Sequence, residues 1–265
     1  MTSSVLTASI AGIGFWTRGL PSWESARAFI VDGQLHEAAP ARPSPQLLAP
    51  NERRRAPDTV AVALDVALAA CTAAGRDPAT LASVFTSTHG ELAITDYMCE
   101  TLASDPASIS PTRFHNSVHN AAAGYWTIGA GAMTPATAIS AYDASFGQGL
   151  LEALVQLATG TEAVLLVGYD GTATGPLATV SPSEGLLGGA LVLVRDAIPG
   201  QPRVRVTLRP ASSTDAPVAS TLAKFAIGNA MLPMLPLFEA LAQRKPHATL
   251  VAGHGKVLGM EITYG

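Results

Sequence analysis

Cysteine is almost absent: Cys71 and Cys99 are the only two in a chain of 265 residues. Two thiols make no disulfide framework, and no Cys/His spacing around them suits a metal. Both fall in segments that read as helices, so they are expected reduced and partly buried, in a reducing cytoplasm. Charge is scarce as well. Charged residues make up 14% of the chain and the net charge is -4, which excludes both a nucleic-acid footprint and a disordered chain. No apolar run is clean enough for a membrane span. The most apolar later segment, Phe225–Leu241, is interrupted by Gly228, Asn229, Pro233, Pro236 and Glu239 and falls short of the ~18–20 residues a span needs. Met1–Gly14 lacks the basic start of a secretory signal and reads as a first strand instead. Heptads, low-complexity tracts and solenoid repeats are missing too.

What is present is apolar and glycine-rich: 48% hydrophobic residues and 24 glycines, enough for a sizeable core in one large or two small domains. Short apolar runs alternate with helical periodicity, which makes the class α/β. Val5–Ile13 is predicted as a strand ending in a turn at Gly14. A helix over Trp23–Val31 is entered through Pro21-Ser22 and closed by Gly33. Ala38–Pro50, with four prolines, is an extended loop, and Asp58 is positioned to cap a helix from Thr59 to Ala74. Ser83–Thr88 is a strand and Glu91–Ala103 a helix; Ser110–Asn120 is a polar loop before a helix over Ala121–Gly131. Then come a strand at Thr137–Ala141, a helix over Ala144–Thr159 and a strand at Ala163–Gly168, a crossover unit of a buried parallel sheet. Strands at Leu186–Val194 and Val204–Leu208 follow. Leu222–Gln243 is a helix pair broken at Pro233 and Pro236, and Thr249–Ala252 pairs with Lys256–Thr263 through a turn at His254-Gly255.

Chemistry-bearing residues are few. The turn before the Ala144–Thr159 helix reads Tyr142-Asp143-Ala144-Ser145, where the free N–H groups of a helix start favour an anion. Asp143 there is equally an ordinary N-cap. Ser145 follows a strand but lacks the Gly-x-Ser-x-Gly pattern of a hydrolase nucleophile. His115 and His119 are four residues apart without a carboxylate or cysteine to complete a metal set. His89 stands at a strand end where ligands of α/β sheets bind, although a plain turn accounts for it. Met231–Phe238 suits an acyl-chain wall or simple core.

Taken in order, the motifs resemble the N-terminal half of the β-ketoacyl synthases, thiolase-fold condensing enzymes of fatty-acid and polyketide synthesis. Ile10-Ala11-Gly12-Ile13-Gly14 is similar to their first strand and glycine turn, and Phe29–Gly33 to the helix after it. Ser110-Pro111, Phe114, Asn120-Ala121 and Ala123-Gly124 resemble the loop and helix before the active site. From Gly124 the family pattern runs without a gap to Gly160 and Gly168. Glu184-Gly185, Leu191–Val194 and the hairpin Leu250–Ile262 are similar to later family elements. Length and the segment Glu52–Asp58 look like the short chain-length-factor-like group of aryl polyene (xanthomonadin-type) biosynthesis.

The resemblance implies an α/β thiolase-like fold in one domain over 1–265, with 1–195 as its N-terminal half and 196–265 as a reduced C-terminal remnant. In the ungapped register the family's cysteine falls on Asp143, with Ala144 and Ser145 after it; a one-residue slip places Ala144 there, and neither is a thiol. His247 and His254, the only histidines beyond residue 119, lie outside the family's histidine motifs. The implied role is a catalytically silent subunit, a chain length factor, paired with an active ketosynthase. Its interface would comprise Thr137, Ala138, Ile139, Ser140 and Ala141, flanked by Tyr125, Trp126 and Tyr142. Arg53, Arg54 and Arg55 would touch an acyl carrier protein, whose phosphopantetheine carries the substrates, or are simply a solvated charge run; no cofactor, metal, nucleic acid or membrane is implied. Two alternatives stand beside it: an enzyme acting alone on acyl thioesters (decarboxylase, thioesterase or acyltransferase), and a homodimeric acyl-chain binding module.

Overall fold

The computed structural model describes residues 5–35, 39–215 and 220–265. The chain opens on β1 (Val5–Thr17), α1 (Trp23–Asp32), α2 (Pro50–Arg55), α3 (Asp58–Ala74) and β2 (Ala82–Thr86). Next come α4 (Leu92–Ser104), α5 (Pro111–Asn116), α6 (Ala121–Ala130), β3 (Ala136–Ile139), α7 (Ser145–Ala158) and β4 (Ala163–Asp170). β5 (Leu187–Val194), β6 (Arg203–Pro210), α8 (Leu235–Ala242), β7 (His247–Gly253) and β8 (Lys256–Thr263) complete it. The eight strands among the described residues form one mixed sheet in the order β3-β2-β4-β5-β1-β6-β8-β7. β3, β2 and β4 run parallel, and the other neighbours are antiparallel. The crossover unit β3–α7–β4 therefore straddles β2 rather than joining adjacent strands.

Helices cover both faces. α3 and α6 pack with Trp16, Phe85, Leu165 and Val192 on one side, while α1, α7 and α8 pack with Ile10, Phe15, Leu166 and Leu191 on the other. That is why β4 and β5 are buried at every position and read as unbroken apolar runs. α3 is buried nearly all round, from Val60 to Cys71, because it lies across the middle of the sheet.

The expected turn at Gly14 does not form; β1 continues to Thr17. Its glycines serve approach instead. A Cβ on Gly12 would stand 2.1 Å from the Ala70 carbonyl oxygen, and one on Gly14 would stand 2.0 Å from that of Val66. Both glycines let α3 settle directly on the strand. α7 uses the same device toward β7, with a Gly147 Cβ falling 2.0 Å from the Val251 oxygen.

Other expectations are corrected locally. Asp58 does not cap α3: Pro57 holds that position, no side chain caps it among the described residues, and Asp58 pairs with Arg42. The polar stretch Ser110–Asn120 contains α5, with the Ser110 hydroxyl accepting from the Arg113 N–H. The arginine run lies on α2, which begins at Pro50, the last residue of the expected loop; Ala38, its first, lies outside the described residues. Leu222–Gln243 is not a helix pair. Two 3-10 turns, Leu222–Phe225 and Leu232–Met234, precede α8, whose first turn accommodates Pro236 because an N–H there needs no partner. Helix α1, capped by Ser22 and closed by Gly33 at φ 70°, and the hairpin turn at His254 and Gly255, with φ 53° and 68°, match expectation. Among the described residues no helix is long and apolar enough to cross a membrane.

Two glycines in different surroundings test this account of packing. Gly14→Ala, forced against backbone, is expected to destabilise by roughly 1–3 kcal/mol or more. Gly124→Ala, whose Cβ meets nothing within 4 Å, is expected to stabilise α6 by about 0.5–1 kcal/mol. Urea unfolding of both variants reads the difference in sign.

Candidate functional site

β3 lies at the edge of the sheet and releases the chain into a 3-10 turn, Tyr142–Ala144, directly before α7. Tyr142 carries the strain of this elbow. Its φ is 55° and the residue is 59% exposed, a left-handed conformation that costs a bulky residue on the order of 1–3 kcal/mol. Neighbours hold it there. The Ser145 hydroxyl accepts from the Ala141 N–H at 3.0 Å and donates to the Tyr142 carbonyl at 2.7 Å. The Thr88 hydroxyl donates to the same carbonyl at 3.1 Å, and the Ser140 hydroxyl donates to the Thr88 carbonyl at 3.0 Å. Ser145 is thus a buried brace with its hydroxyl committed to backbone, and no longer a candidate nucleophile. Asp143 is exposed and Ala144 buried. Neither the turn nor α7 takes a side-chain cap among the described residues, so the capping role weighed for Asp143 is not realised.

The floor beside the elbow is a buried polar network. Asp170, at the C-terminal end of β4, is 0% exposed. Its carboxylate accepts from the Ser87 hydroxyl at 2.5 Å and from the N–H groups of Thr88 at 2.9 Å and His89 at 3.3 Å. The Asn229 amide donates to the Asp170 carbonyl at 3.1 Å. His89 Nε2 meets the Ser181 hydroxyl at 2.6 Å, and its Nδ1 lies 4.0 Å from Asp170. His119 Nε2 meets the Ser87 carbonyl at 2.8 Å. Burial pushes the Asp170 carboxyl above its ordinary value, a shift that the Ser87, Thr88 and His89 contacts moderate without reversing. Glu91 is raised for the same reason while accepting from the Thr59 hydroxyl, and burial with the charges of Asp170 and Glu91 raises the Tyr169 phenol.

Two hollows flank the elbow. A pocket of about 180 Å³ is lined by Thr88, Tyr142, Asp143, Ser181, Pro182, Asn229, Ala230 and Pro233. An open cleft of about 910 Å³ on the other side is lined by Ile139–Ala144, by one face of α7 (Gln148, Leu151, Glu152, Val155) and by Ala252–His254.

Sequence-predicted residues divide accordingly. Thr137, Ala138, Ile139 and Ala141 are half-buried along the sheet edge, while Ser140 and Tyr142 are exposed. Pro135 and Ile139 turn their carbonyls to β2, where they accept from Ser83 and Ser87; alternation then turns the N–H and C=O of Ala136 and Ala138 outward. Tyr125 is half-buried, edge-on to His115. Trp126, placed with the interface by sequence, is fully buried beside Phe85 and has no surface to offer. Arg53, Arg54 and Arg55 lie away from both hollows: the Arg53 guanidinium donates to the Leu48 carbonyl, Arg54 pairs with Asn51, and Arg55 is exposed. His115 and His119 do not converge, and no group that would hold a metal occurs among the described residues. Met231, Met234 and Phe238 are core. Burial pushes the Cys71 thiol up to about 12, and Cys99 is exposed on α4. Ser87, Thr88, Asp170, Ser181 and Asn229 belong to the site without being among the sequence-predicted residues. A carboxylate closing the apolar run Ala163–Gly168 was the available signal, since a charge ending a buried strand needs a partner.

The Asp170 environment sets a pH dependence. A carboxyl raised in the folded state stabilises while protonated; that contribution is full below its unfolded value and is lost as pH rises through the folded value. Relative to wild type, Asp170→Asn is therefore expected to lose less stability between pH 4.5 and 8. The difference in slope is at most about 1.4 kcal/mol per pH unit, read from urea unfolding across that range.

Residues 23–248 match the family model described as "Beta-ketoacyl synthase, N-terminal domain". No curated protein matches the chain. Among solved structures, a chain of the ketosynthase ApeO in complex with its chain length factor ApeC, from Xenorhabdus doucetiae, is 25% identical. The match covers 97% of this chain and 99% of that one at a TM-score of 0.74. A chain of the ishigamide ketosynthase/chain length factor matches at 14% identity, 97% and 99% coverage and a TM-score of 0.74. One from AntDE:AntF, a type II acyl-carrier protein with its ketosynthase, matches at 12% identity, 99% and 100% coverage and a TM-score of 0.72. The fold is the thiolase-like one of ketosynthases, and with the family model spanning most of its length the chain belongs to the β-ketoacyl synthase N-terminal domain family.

Proposed function

We propose that this chain is a chain length factor: a subunit that does not condense, pairs with an active ketosynthase in the cytoplasm and limits how far that partner extends a chain. One observation carries the reading. The turn at the elbow holds no cysteine and presents the exposed carboxylate of Asp143, which in this reading stands where the family carries its thiol. A carboxylate is stable at a helix start but is a poor carrier of acyl groups.

The sheet edge supplies the docking element. Ala136 and Ala138 present backbone donors and acceptors with no partner among the described residues, and an unpaired edge of this kind accepts a strand from another chain. The open cleft beside it has a half-apolar lining, with Leu151 and Val155 on α7, suited to a partner's side chains. The likeness to a chain of the ApeO–ApeC complex supports the pairing with a ketosynthase; in this reading the resemblance of the segment Glu52–Asp58 is what suggests an aryl polyene or related polyketide substrate class. In this reading the growing chain rides on phosphopantetheine of an acyl carrier protein, and Arg54 and Arg55 are the exposed cations through which that acidic partner is steered.

Co-expression with a full-length ketosynthase of the same source whose cysteine is intact, followed by size-exclusion chromatography and product analysis, tests the proposal. A one-to-one complex is expected, with product length shifting when this chain is exchanged for a relative. Ala138→Pro, which removes an outward N–H, is expected to weaken the complex at least ~10-fold while leaving the fold intact. A free monomer or a homodimer, with products unchanged by its presence, would overturn it.

A further inference from the structure

The buried network beside the elbow contains a grouping that pairing with a ketosynthase does not require. Among the described residues, Ser181 is the serine whose hydroxyl meets an imidazole: its Oγ lies 2.6 Å from His89 Nε2. The other nitrogen of that ring, Nδ1, is buried with no hydrogen-bond partner and lies 4.0 Å from the fully buried carboxylate of Asp170. Ser181 is half-buried and opens into the pocket of about 180 Å³, walled by Pro182, Ala230 and Pro233. We propose that Ser181, His89 and Asp170 form a nucleophile, a base and a positioning carboxylate that remove short acyl groups from thioesters.

The arrangement suits acyl transfer. The Ser181 contact is short enough for direct proton transfer to Nε2. The 4.0 Å separation at Nδ1 is the kind of long contact that tightens once substrate is bound. With Nδ1 carrying the ring proton toward Asp170, Nε2 is free to accept. The Ser181 oxygen attacks the thioester carbonyl while its proton passes to His89. The carbon–sulphur bond breaks, and the departing thiolate takes that proton and leaves as a thiol. Water then attacks the Ser181 ester, giving a proton to His89; the ester bond breaks, Ser181 recovers the proton and a carboxylic acid leaves. Thioester and water are the only reactants. The pocket admits a short acyl group, and the Asp143 carboxylate in its wall disfavours acyl groups that are themselves anionic. A subunit with this site would clear stalled or wrongly primed short thioesters from its partner's entrance. The hydrolysis does not depend on the chain-length role and is measured without it.

The full 265-residue chain, alone and in complex with a ketosynthase whose thiol has been alkylated, is incubated with acetyl-pantetheine and, separately, with a fluorophosphonate probe. Hydrolysis and a probe adduct mapped by mass spectrometry to Ser181 are expected. Ser181→Ala is expected to abolish the adduct and to lower turnover by about 100-fold or more. Asp170→Asn is expected to move the acid limb of the pH–rate profile to lower pH, a change that loss of packing alone would not produce. Turnover equal in wild type and Ser181→Ala, or an adduct on any other residue or on none, overturns the proposal. An unmoved acid limb removes Asp170 from it. Should Ser181→Ala fail to fold, the position of the adduct on the wild-type chain decides.

Discussion

One carboxylate removed from water organises the functional end of this molecule. Asp170 terminates β4 at zero exposure, and an unanswered charge there would cost several kcal/mol. The answer comes from the exit of β2: Ser87, Thr88 and His89 all donate to it. Those three hydrogen bonds fix the path of the chain after β2, and that path places the Thr88 hydroxyl under the Tyr142 carbonyl. The elbow's left-handed residue is thus held by a network rooted in the next strand but one. Asn229, reaching the Asp170 carbonyl and the Glu184 carbonyl, ties the later loops to the same point.

This dependence explains how the elbow keeps its geometry. The strain at Tyr142 is a property of backbone and braces, Ser145 above all, and not of the group presented beside it. The braces therefore hold the turn through its backbone, whatever side chain stands at Asp143. Glycine approach does the rest. α7 rests close to β7 at Gly147 and close to β2 at Gly149, which brings the β7–β8 turn alongside the elbow and forms the open cleft next to the sheet edge.

Much of the fold was legible because its signals are local. The apolar runs of β4 and β5, the helical periodicity of α7, the Ser22 and Gly33 caps and the His254-Gly255 turn each state their structure within a few residues. The failures have a common cause in long-range contact. Gly14 reads as a turn until α3 is seen pressing on it. Tyr125 and Trp126 read as one core and one interface side chain, and only the sight of Phe85 beside Trp126 says which is the core one; the prolines of Leu222–Gln243 read as helix breaks although one fits a first turn. The site was half legible. The elbow could be found from spacing, whereas the network under it joins Ser87, Asp170, Ser181 and Asn229 across separations that no periodicity records.

The central claim is that the edge strand and elbow form the face on which a ketosynthase docks. Hydrogen–deuterium exchange on the chain with and without that partner measures it most directly. The account predicts that amides of Ala136–Tyr142 become strongly protected on mixing, while β7, at the far edge of the sheet, keeps its exchange rate along Ala248–Leu250. Unchanged exchange at Ala136–Tyr142 in a complex that demonstrably forms would contradict it.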